Sequence, residues 1–290
     1  MSTTCLSIIE DILRLSEYKN KEKIIDYVSY NTVGGKAYRK YLFGLVLEYE
    51  SKESFLTSCL FELLQASFLS IDDIMDNSDL RRGQICYYKK QGMISVKYSA
   101  YILSVISKLI YSKCRDIFYN TAFSTCIGQV LDSKEKKEDD YTEDMYHSIA
   151  EYKTSIYTFY FPLVSGYVFM HKEEPSSLYK FTRILGIIFQ MQDDFMNFHP
   201  KESKKTGNDL EEMKLTYFTC KLYKEKNNKY VNEYFKSGKI SEYILERIHS
   251  YFPEYQKKVD EYMKEAEEMS KNFDINIFNA IRKLLEKRMI

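Results

Sequence analysis

Residues 55–76 read FLTSCLFELLQASFLSIDDIMD, an apolar stretch with helical periodicity that ends in three aspartates. Residues 189–197 read FQMQDDFMN, and they share with residues 68–76 the pattern Phe-x-x-x-Asp-Asp-x-Met-(Asp/Asn). Both copies lie at the C-terminal end of an apolar helical stretch. The repetition predicts two helices with related functions in the two halves of one helical bundle.

The composition of the whole chain also favours an all-α fold. Its 290 residues include only 10 Gly and 4 Pro, which folds rich in turns need in larger numbers. The 27 Tyr and 18 Phe residues can fill a large core. No Pro- or Gly-rich linker divides the sequence, so we predict a single antiparallel helical domain over residues 1–290. The predicted helices cover residues 41–49, 55–74, 96–131, 146–170 and 178–198, and amphipathic helices follow from 215 to 290.

The charge balance and the cysteines exclude several classes of protein. Lys plus Arg and Asp plus Glu both number 42, which argues against a nucleic-acid binder. The six cysteines form no CxxC pair and no signal peptide precedes them, so we predict free thiols and a cytoplasmic location. The longest uncharged run, residues 154–170, contains Pro162 and Gly166, and we interpret it as a core helix and not as a membrane span.

The acidic side chains predict a metal site. On a helix, Asp72 and Asp76 project from one face, and Asp73 lies three residues from Asp76. Such like charges repel each other unless a cation binds. Oxygen ligands without His or Cys suit Mg²⁺, which prefers one or two carboxylates together with substrate phosphates. Two such helices facing each other would hold a diphosphate through bridging metals. The second copy of the motif supplies the oxygen ligands Asp193, Asp194 and Asn197.

Basic segments near the acidic motifs predict an anionic ligand. Arg81, Arg82 and Gly83 follow the first motif in a segment that resembles a turn. The segment from Gly34 to Arg39 opens a helix, where backbone amides and two positive charges favour an anion. Further candidates of the same kind are Lys153 with Thr154, and Lys214.

The motifs together resemble those of the trans-prenyl diphosphate synthases over about residues 30–220. DDIMDNSDLRRG at 72–83 resembles the first aspartate-rich motif of that family, and residues 189–197 resemble the second. GGKAYR at 34–39 resembles the element that binds isopentenyl diphosphate. Gly128-Gln129 with Asp132, Lys153-Thr154 and the segment 208–214 follow in the family's order. The resemblance is closest to the eukaryotic geranylgeranyl and farnesyl diphosphate synthases, and it implies the isoprenoid synthase fold with a deep central cavity.

The resemblance also implies an activity, which is the condensation of isopentenyl diphosphate with dimethylallyl, geranyl or farnesyl diphosphate. About three Mg²⁺ ions per active site, a homodimer and inhibition by bisphosphonates are expected. The implied catalytic residues are Asp72, Asp76, Asp193, Lys153, Thr154 and Gln190. The implied metal ligands are Asp72, Asp73, Asp76, Asp193, Asp194 and Asn197. The allylic diphosphate is assigned to Arg81, Lys153 and Lys214, and isopentenyl diphosphate to Lys36, Arg39, Arg82 and Tyr88. Thr154 and Gln190 are expected to face the allylic cation.

Two departures from the family pattern have expected consequences. Tyr88 stands where the family usually has a His, and Tyr carries no positive charge, so the affinity for isopentenyl diphosphate is expected to be lower. Ser155 and Ile156 stand where the family often has Gly, which predicts tighter packing without loss of function.

The product length depends on side chains along the first acidic helix. Phe68 lies one turn before Asp72 and would shorten the tunnel for the growing chain, which favours the fifteen-carbon farnesyl product. Ser67, Ile102 and Ser104 are small for a tunnel floor and leave room for twenty carbons. Phe68 could instead be an ordinary core residue. The resemblance of the whole chain slightly favours geranylgeranyl diphosphate.

Two alternative functions have weaker support. A class I terpene cyclase shares the fold and a DDxxD motif, but its second motif, Asn/Asp-Asp-x-x-Ser/Thr-x-x-x-Glu, is not matched. Here Asn208-Asp209 is followed by Glu212 and Thr216 at the later places. A non-catalytic partner subunit of a heteromeric synthase tends to lose acidic motifs, whereas this chain keeps both.

Overall fold

The computed structural model describes residues 21–132, 137–198 and 209–289. The prediction of an all-α protein is confirmed, because the described residues are helical apart from connections and one short hairpin. These residues form two compact units. Unit 1 comprises the described residues up to Asn120 together with Phe161–Glu174, and unit 2 comprises Thr121–Tyr160 and the residues from Pro175 onward. A single domain over 1–290 stays a prediction.

The elements follow in chain order. The α-helices are α1 (Lys21–Thr32), α2 (Tyr38–Gly44), α3 (Lys52–Met75), α4 (Tyr87–Gln91), α5 (Ile94–Leu109), α6 (Arg115–Leu131), α7 (Glu143–Ile149), α8 (Phe161–Phe169), α9 (Leu178–Met196), α10 (Tyr217–Tyr223), α11 (Lys229–Ser237), α12 (Glu242–Ser250), α13 (Phe252–Ser270) and α14 (Ile275–Arg288). Short 3₁₀ turns cover Ser112–Cys114 and Glu138–Asp140, and a π-helical segment covers Ala150–Tyr160. Strands β1 (Leu80–Arg81) and β2 (Gln84–Ile85) pair antiparallel.

Helix α3 is the central helix of unit 1 and extends the predicted helix 55–74 at both ends. Ser51 caps its start: the Ser51 hydroxyl accepts from the backbone N–H of Ser54 at 3.0 Å, and the Ser54 hydroxyl accepts from that of Ser51 at 2.8 Å. The helix is long and apolar enough for a membrane span, but 67% of its most apolar window is buried within the protein. Burial of that kind is typical of a core helix.

The core of unit 1 is rich in aromatic rings. Phe61 on α3 packs edge-to-face on Phe161 with ring centroids 4.9 Å apart, and Phe43 lies 5.3 Å from Phe61. Tyr27 on α1 is fully buried, and its hydroxyl forms a 2.7 Å hydrogen bond with Ser99. Helix α2 ends at Gly44, so the predicted helix 41–49 is shorter than expected at its C-terminal end.

Unit 2 is organised around helix α9 and the π-helical segment. The predicted helix 146–170 is confirmed as a helical run over 143–169, but residues 150–160 have π geometry. Apolar periodicity does not reveal this geometry, because the segment is apolar on several sides. Two glycines permit its packing: an added Cβ on Gly128 of α6 would lie 2.6 Å from the Cα of Lys153, and one on Gly186 of α9 would lie 2.6 Å from the Cα of Ser155.

The packing around Ser155 explains how the chain accepts a side chain at this position. Gly186 faces it without a Cβ, and the Ser155 hydroxyl donates to the carbonyl oxygen of Thr182 at 2.8 Å. Ser155 is 1% exposed, in agreement with the expected tight packing.

The cysteines differ in part from the prediction of six free thiols. Four of them carry free thiols, namely Cys86, Cys114, Cys126 and Cys220. Cys59 is disulfide-bonded, so the prediction is wrong for this residue. Spacing along the chain does not reveal such a bond, because its geometry depends on how the fold places the cysteines. Cys5 lies outside the described residues, as do 133–136 and 199–208 within the two predicted loops.

Candidate functional site

The first aspartate motif forms the C-terminal end of helix α3. Asp76 is its C-cap residue, and Asn77 follows with φ 50° in the left-handed region. The backbone N–H of Ser78 donates to the Asp73 carbonyl oxygen at 2.8 Å, and that of Asn77 donates to Ile74 at 3.2 Å. These two bonds are those of a Schellman motif, for which Asn is a suitable residue. The local sequence therefore determines that helix α3 ends at the aspartate motif.

Arg81 on strand β1 binds the carboxylates of this motif. Its Nε donates to Asp73 Oδ1 at 2.7 Å, and its Nη2 donates to Asp72 Oδ2 at 3.2 Å. Asp73 is 3% exposed, and burial raises the pKa of its carboxyl while the charge of Arg81 opposes that rise. Asp72 and Asp76 are half-buried. Asp73 is thus buried against Arg81, whereas Asp72 and Asp76 are less buried, and the metal-binding role of all three stays a prediction.

The turn after Arg81 carries Arg82 to the predicted isopentenyl diphosphate element. Arg82 and Gly83 have φ 55° and 76°, as a tight hairpin turn requires, and glycine adopts that region without strain. The Arg82 Nη1 donates to the carbonyl oxygens of Asn31 and Val33, at 3.1 Å each. An added Cβ on Gly35 would lie 3.1 Å from Arg82 Nη2, so glycine lets the guanidinium lie against this loop.

Positive charge is concentrated at this loop. Burial lowers the pKa of Arg82 most, and the charges of Arg81 and Arg39 lower it further. Arg39 is 3% exposed on helix α2, whereas Lys36 is exposed with its Nζ 5.7 Å from the Tyr38 ring centroid. Like charges held together favour an anion between them. Arg39 is thus near enough to Arg82 for its charge to act on it, and the assignment of both to isopentenyl diphosphate stays a prediction.

Tyr88 contacts the residues that follow helix α3 in unit 1. Its hydroxyl donates to the Ser78 carbonyl oxygen at 2.9 Å and lies 3.2 Å from Asn77 Oδ1. These contacts attach Tyr88 to the residues that end helix α3. Its predicted contact with isopentenyl diphosphate stays a prediction.

The predicted chain-length residues divide into two groups. Ser67 and Ile102 are buried at 0% and 1% exposure, and Phe68 packs half-buried against the core of unit 1. Ser104 is exposed, and its hydroxyl donates to the Ala100 carbonyl oxygen at 3.0 Å. The structure therefore does not place Ser104 with the buried residues, because it lies on the outer face of helix α5.

The π-helical segment holds Lys153 and Thr154 in unit 2. Lys153 Nζ donates to Asp132 Oδ2 at 2.5 Å, and the approach of α6 at Gly128 permits this ion pair. Thr154 Oγ1 donates to Gln190 Oε1 at 3.0 Å. The structure brings together the two side chains that the sequence assigns to the allylic cation.

The two aspartates of the second motif have different surroundings. Asp193 accepts from Arg288 Nη2 at 2.6 Å, and the Arg288 guanidinium also lies 3.4 Å from the Phe189 ring centroid. Asp194 is 2% exposed and accepts from Gln190 Nε2 at 3.0 Å. Burial, and after it the charge of Asp209, raise the pKa of Asp194 to about 8.

The end of the second motif contacts the residues around 209–214. Asn197 Nδ2 donates to Asp209 Oδ2, and both residues line a cavity of about 230 Å³. Lys214 Nζ lies 3.4 Å from Glu212 Oε2. Asn208, the first residue of the segment 208–214, lies outside the described residues.

Arg288 is the site residue that sequence reasoning missed. It lies 95 residues after Asp193, in the region where only a helical pattern was identified. Its one sequence signal is the basic pair Lys287-Arg288 in the last turn of α14, which is common at helix C-termini.

The donor set is compatible with magnesium. Among residues 21–132, 137–198 and 209–289, no group of three or more Asp, Glu, His or Cys side chains could hold a metal ion by itself. Magnesium is usually held by one or two carboxylates together with substrate phosphates and water. Half-buried Asp72 and Asp76, with only oxygen donors, fit that description.

Comparison with known proteins identifies the relatives of the chain. The family model for polyprenyl synthetase matches residues 21–272. The farnesyl pyrophosphate synthase of Rattus norvegicus is 33% identical over 232 residues, which cover 67% of this chain and 64% of that protein. Farnesyl pyrophosphate synthase 2 of Cannabis sativa is 31% identical over 265 residues, which cover 78% and 75%.

The comparison with solved structures concerns the fold. The farnesyl diphosphate synthase of T. brucei complexed with minodronate has a TM-score of 0.75 and 20% identity. The superposition covers 99% of this chain and 96% of that chain. The described helices thus have the all-α isoprenoid synthase fold, as predicted.

Proposed function

The chain belongs to the polyprenyl synthetase family, and on that premise we propose that it is a short-chain trans-prenyltransferase. It joins isopentenyl diphosphate to an allylic diphosphate. The observation that carries the proposal is the pairing of acidic and basic groups at the end of α3, where Arg81 binds Asp72 and Asp73 and the next residue, Arg82, lies against the glycine loop. The relatives named above are farnesyl pyrophosphate synthases, which supports farnesyl diphosphate as the main product over geranylgeranyl diphosphate.

The reaction needs groups that neutralise a leaving diphosphate. The carbon–oxygen bond of the allylic substrate breaks, the isopentenyl double bond attacks the cation, and a proton is lost to the departing diphosphate. Asp72, Asp76 and Asp193 would hold magnesium, which supplies Lewis-acid charge neutralisation when bound. The family resemblance assigns the fixed charges of Arg81, Lys153 and Lys214 to the allylic diphosphate. Arg81 Nη2 lies 3.2 Å from Asp72 Oδ2, so its guanidinium is close to where a metal at Asp72 would hold the anion.

The loop beside Arg82 is the proposed isopentenyl diphosphate site. Gly34 has φ 76°, and an added Cβ on Gly35 would lie 3.1 Å from Arg82 Nη2, so the guanidinium lies against this loop. Exposed Lys36 and buried Arg39 follow the loop in the sequence and add positive charge. Bound diphosphate would relieve the repulsion among these cations.

A product assay tests the proposed activity. Purified protein is incubated with Mg²⁺, isopentenyl diphosphate and each of dimethylallyl, geranyl and farnesyl diphosphate, and product length is read by mass spectrometry. Elongation that stops at fifteen carbons is expected. Elongation of farnesyl diphosphate would identify a geranylgeranyl synthase. Folded protein that extends no primer would contradict the proposal and favour a non-catalytic partner subunit.

Replacing Lys36 with alanine is expected to raise the KM for isopentenyl diphosphate roughly tenfold, since one charged hydrogen bond to a phosphate contributes about 1.5–3 kcal/mol. The kcat and the KM for the allylic substrate should change little. Steady-state kinetics with each substrate varied in turn measures the three constants. Lys271→Ala, which removes an exposed lysine paired with Glu268, is the matched control. An unchanged KM in the Lys36 variant would remove this residue from the site.

Replacing Phe68 with alanine is expected to lengthen the product by at least one five-carbon unit. The ring lies one helical turn before Asp72, so its removal opens space along the path of the growing chain. Product mass spectrometry with geranyl diphosphate as primer reports the change. Phe55→Ala is the control, because it removes the same ring from the same helix, roughly 20 Å further from Asp72. The same product from the wild-type and Phe68→Ala proteins would make Phe68 a core residue only.

The remaining partners are proposals with partial support. A homodimer is supported by three exposed apolar side chains on one face of α6, with exposures of 49%, 69% and 68% for Tyr119, Phe123 and Val130. Light scattering on the purified protein measures its molar mass and so tests for the homodimer. Bisphosphonate inhibition is supported by the minodronate complex of the T. brucei enzyme. The cytoplasmic location stays a prediction from the sequence.

A further inference from the structure

Asp194 differs from its neighbour Asp193 in how its carboxyl oxygens are used. Its Oδ1 accepts from Gln190 Nε2 at 3.0 Å, and its Oδ2 accepts from the backbone N–H of Tyr217 at 2.9 Å. Asp194 is 2% exposed, whereas the side chain of Asp193 is 33% exposed. A metal at Asp194 would have to share oxygens that already accept from two donors, and losing either of these buried hydrogen bonds would be unfavourable.

The hydrogen bonds of Asp194 continue to Thr154 through Gln190. Because Gln190 Nε2 donates to Asp194 Oδ1, the Gln190 amide turns its NH₂ group toward Asp194. Its oxygen then faces Thr154, whose hydroxyl donates to it at 3.0 Å. With the hydroxyl proton directed at Gln190, the lone pairs of the Thr154 oxygen remain available to a positive charge.

We propose that Asp194 is a positioning residue that orients the Gln190–Thr154 pair toward the allylic cation, and that it is not a magnesium ligand. The inference rests on the proposed prenyltransferase activity. It gives the two aspartates of the second motif different functions. Asp193 would bind the metal, and Asp194 would position the oxygens of Gln190 and Thr154 that face the cation. This division replaces the assignment of both aspartates to the metal.

The first test separates positioning from metal binding. Asp194→Asn keeps the shape of the side chain but can offer only one oxygen to its two donors. We expect kcat to fall roughly 10- to 100-fold, as misplaced groups at a reacting centre do. The affinity for Mn²⁺ in the presence of inorganic pyrophosphate, measured by electron paramagnetic resonance, should stay within about twofold of wild type. Asp193→Asn is the matched control and should weaken Mn²⁺ binding.

The second test asks whether Asp194 acts through Gln190. In a Gln190→Met background the amide is absent, so Asp194→Asn should lower kcat only about threefold or less. Thermal unfolding by circular dichroism confirms that each variant is folded. Weaker Mn²⁺ binding in Asp194→Asn, or an equal loss of kcat in both backgrounds, would overturn the inference. Failure of the proposed prenyltransferase activity would be recognised separately, because the wild-type protein itself would then elongate no primer.

Discussion

Replacing Asp72 with alanine is expected to lower kcat by roughly a thousandfold, since charge stabilisation by a bound metal contributes several kcal/mol to the transition state. Asp72 is half-buried at the end of helix α3, and its carboxylate also receives Arg81 Nη2 at 3.2 Å. The substitution therefore removes a proposed metal ligand and one of the groups that fixes Arg81. Single-turnover measurements at saturating substrate, over a range of Mg²⁺ concentrations, report the chemical step.

The same segment offers a matched control for this experiment. Asp79 follows three residues after the motif, its side chain is 79% exposed, and it forms an ion pair with Lys89 at 3.0 Å. Asp79→Ala removes an equal charge from the same segment without touching the proposed ligands, so kcat should stay within about twofold. Near-normal turnover of the Asp72 variant would make the metal assignment wrong.

Replacing Gly128 with alanine should lower the free energy of unfolding by about 3 kcal/mol or more, which is the upper end for overpacked sites. The added Cβ would lie 2.5 Å from the carbonyl carbon of Tyr152 and 2.6 Å from the Cα of Lys153. Both atoms belong to the backbone of the π-helical segment, so no side-chain rotation relieves the overlap. Urea unfolding followed by circular dichroism measures the change.

A second helical glycine provides the comparison. Gly44 ends helix α2, and an added Cβ there meets nothing within 4 Å. Gly44→Ala should leave stability unchanged or raise it by up to about 1 kcal/mol, because alanine favours the helix. Equal stability of the Gly128 and Gly44 variants would mean that the contact between α6 and the π-helical segment is looser than the structure shows.

The first motif illustrates what can be predicted from neighbouring residues. The helix over 55–74, its acidic end and the turn that follows are local features, and the structure gives a helix over Lys52–Met75 with Asn77 in the left-handed region. Helical periodicity and the conformational preference of Asn act within a few residues, so the sequence carries them directly. The same holds for the helix over 178–198, which the structure gives as Leu178–Met196.

The partners of the carboxylates could not be predicted in the same way. Asp193 is paired with Arg288, 95 residues away, and the hydrogen bonds of Asp194 reach Tyr217 in another helix. Spacing along the chain shows that carboxylates cluster, but not which of them are buried or already bound by a basic group. The surroundings of each carboxylate depend on its burial and on partners far away in the chain, and both arise only when the helices pack.

The all-helical chain, its two aspartate-rich helix ends and the family to which they point can be read from the sequence, because periodicity, capping and motif spacing are local properties. The burial of Asp73 against Arg81, the hydrogen bond from Gln190 to Asp194 and the π-helical geometry of residues 150–160 are seen only in the folded chain. These outcomes depend on contacts between residues far apart in the chain, where desolvation and packing assign each side chain its role.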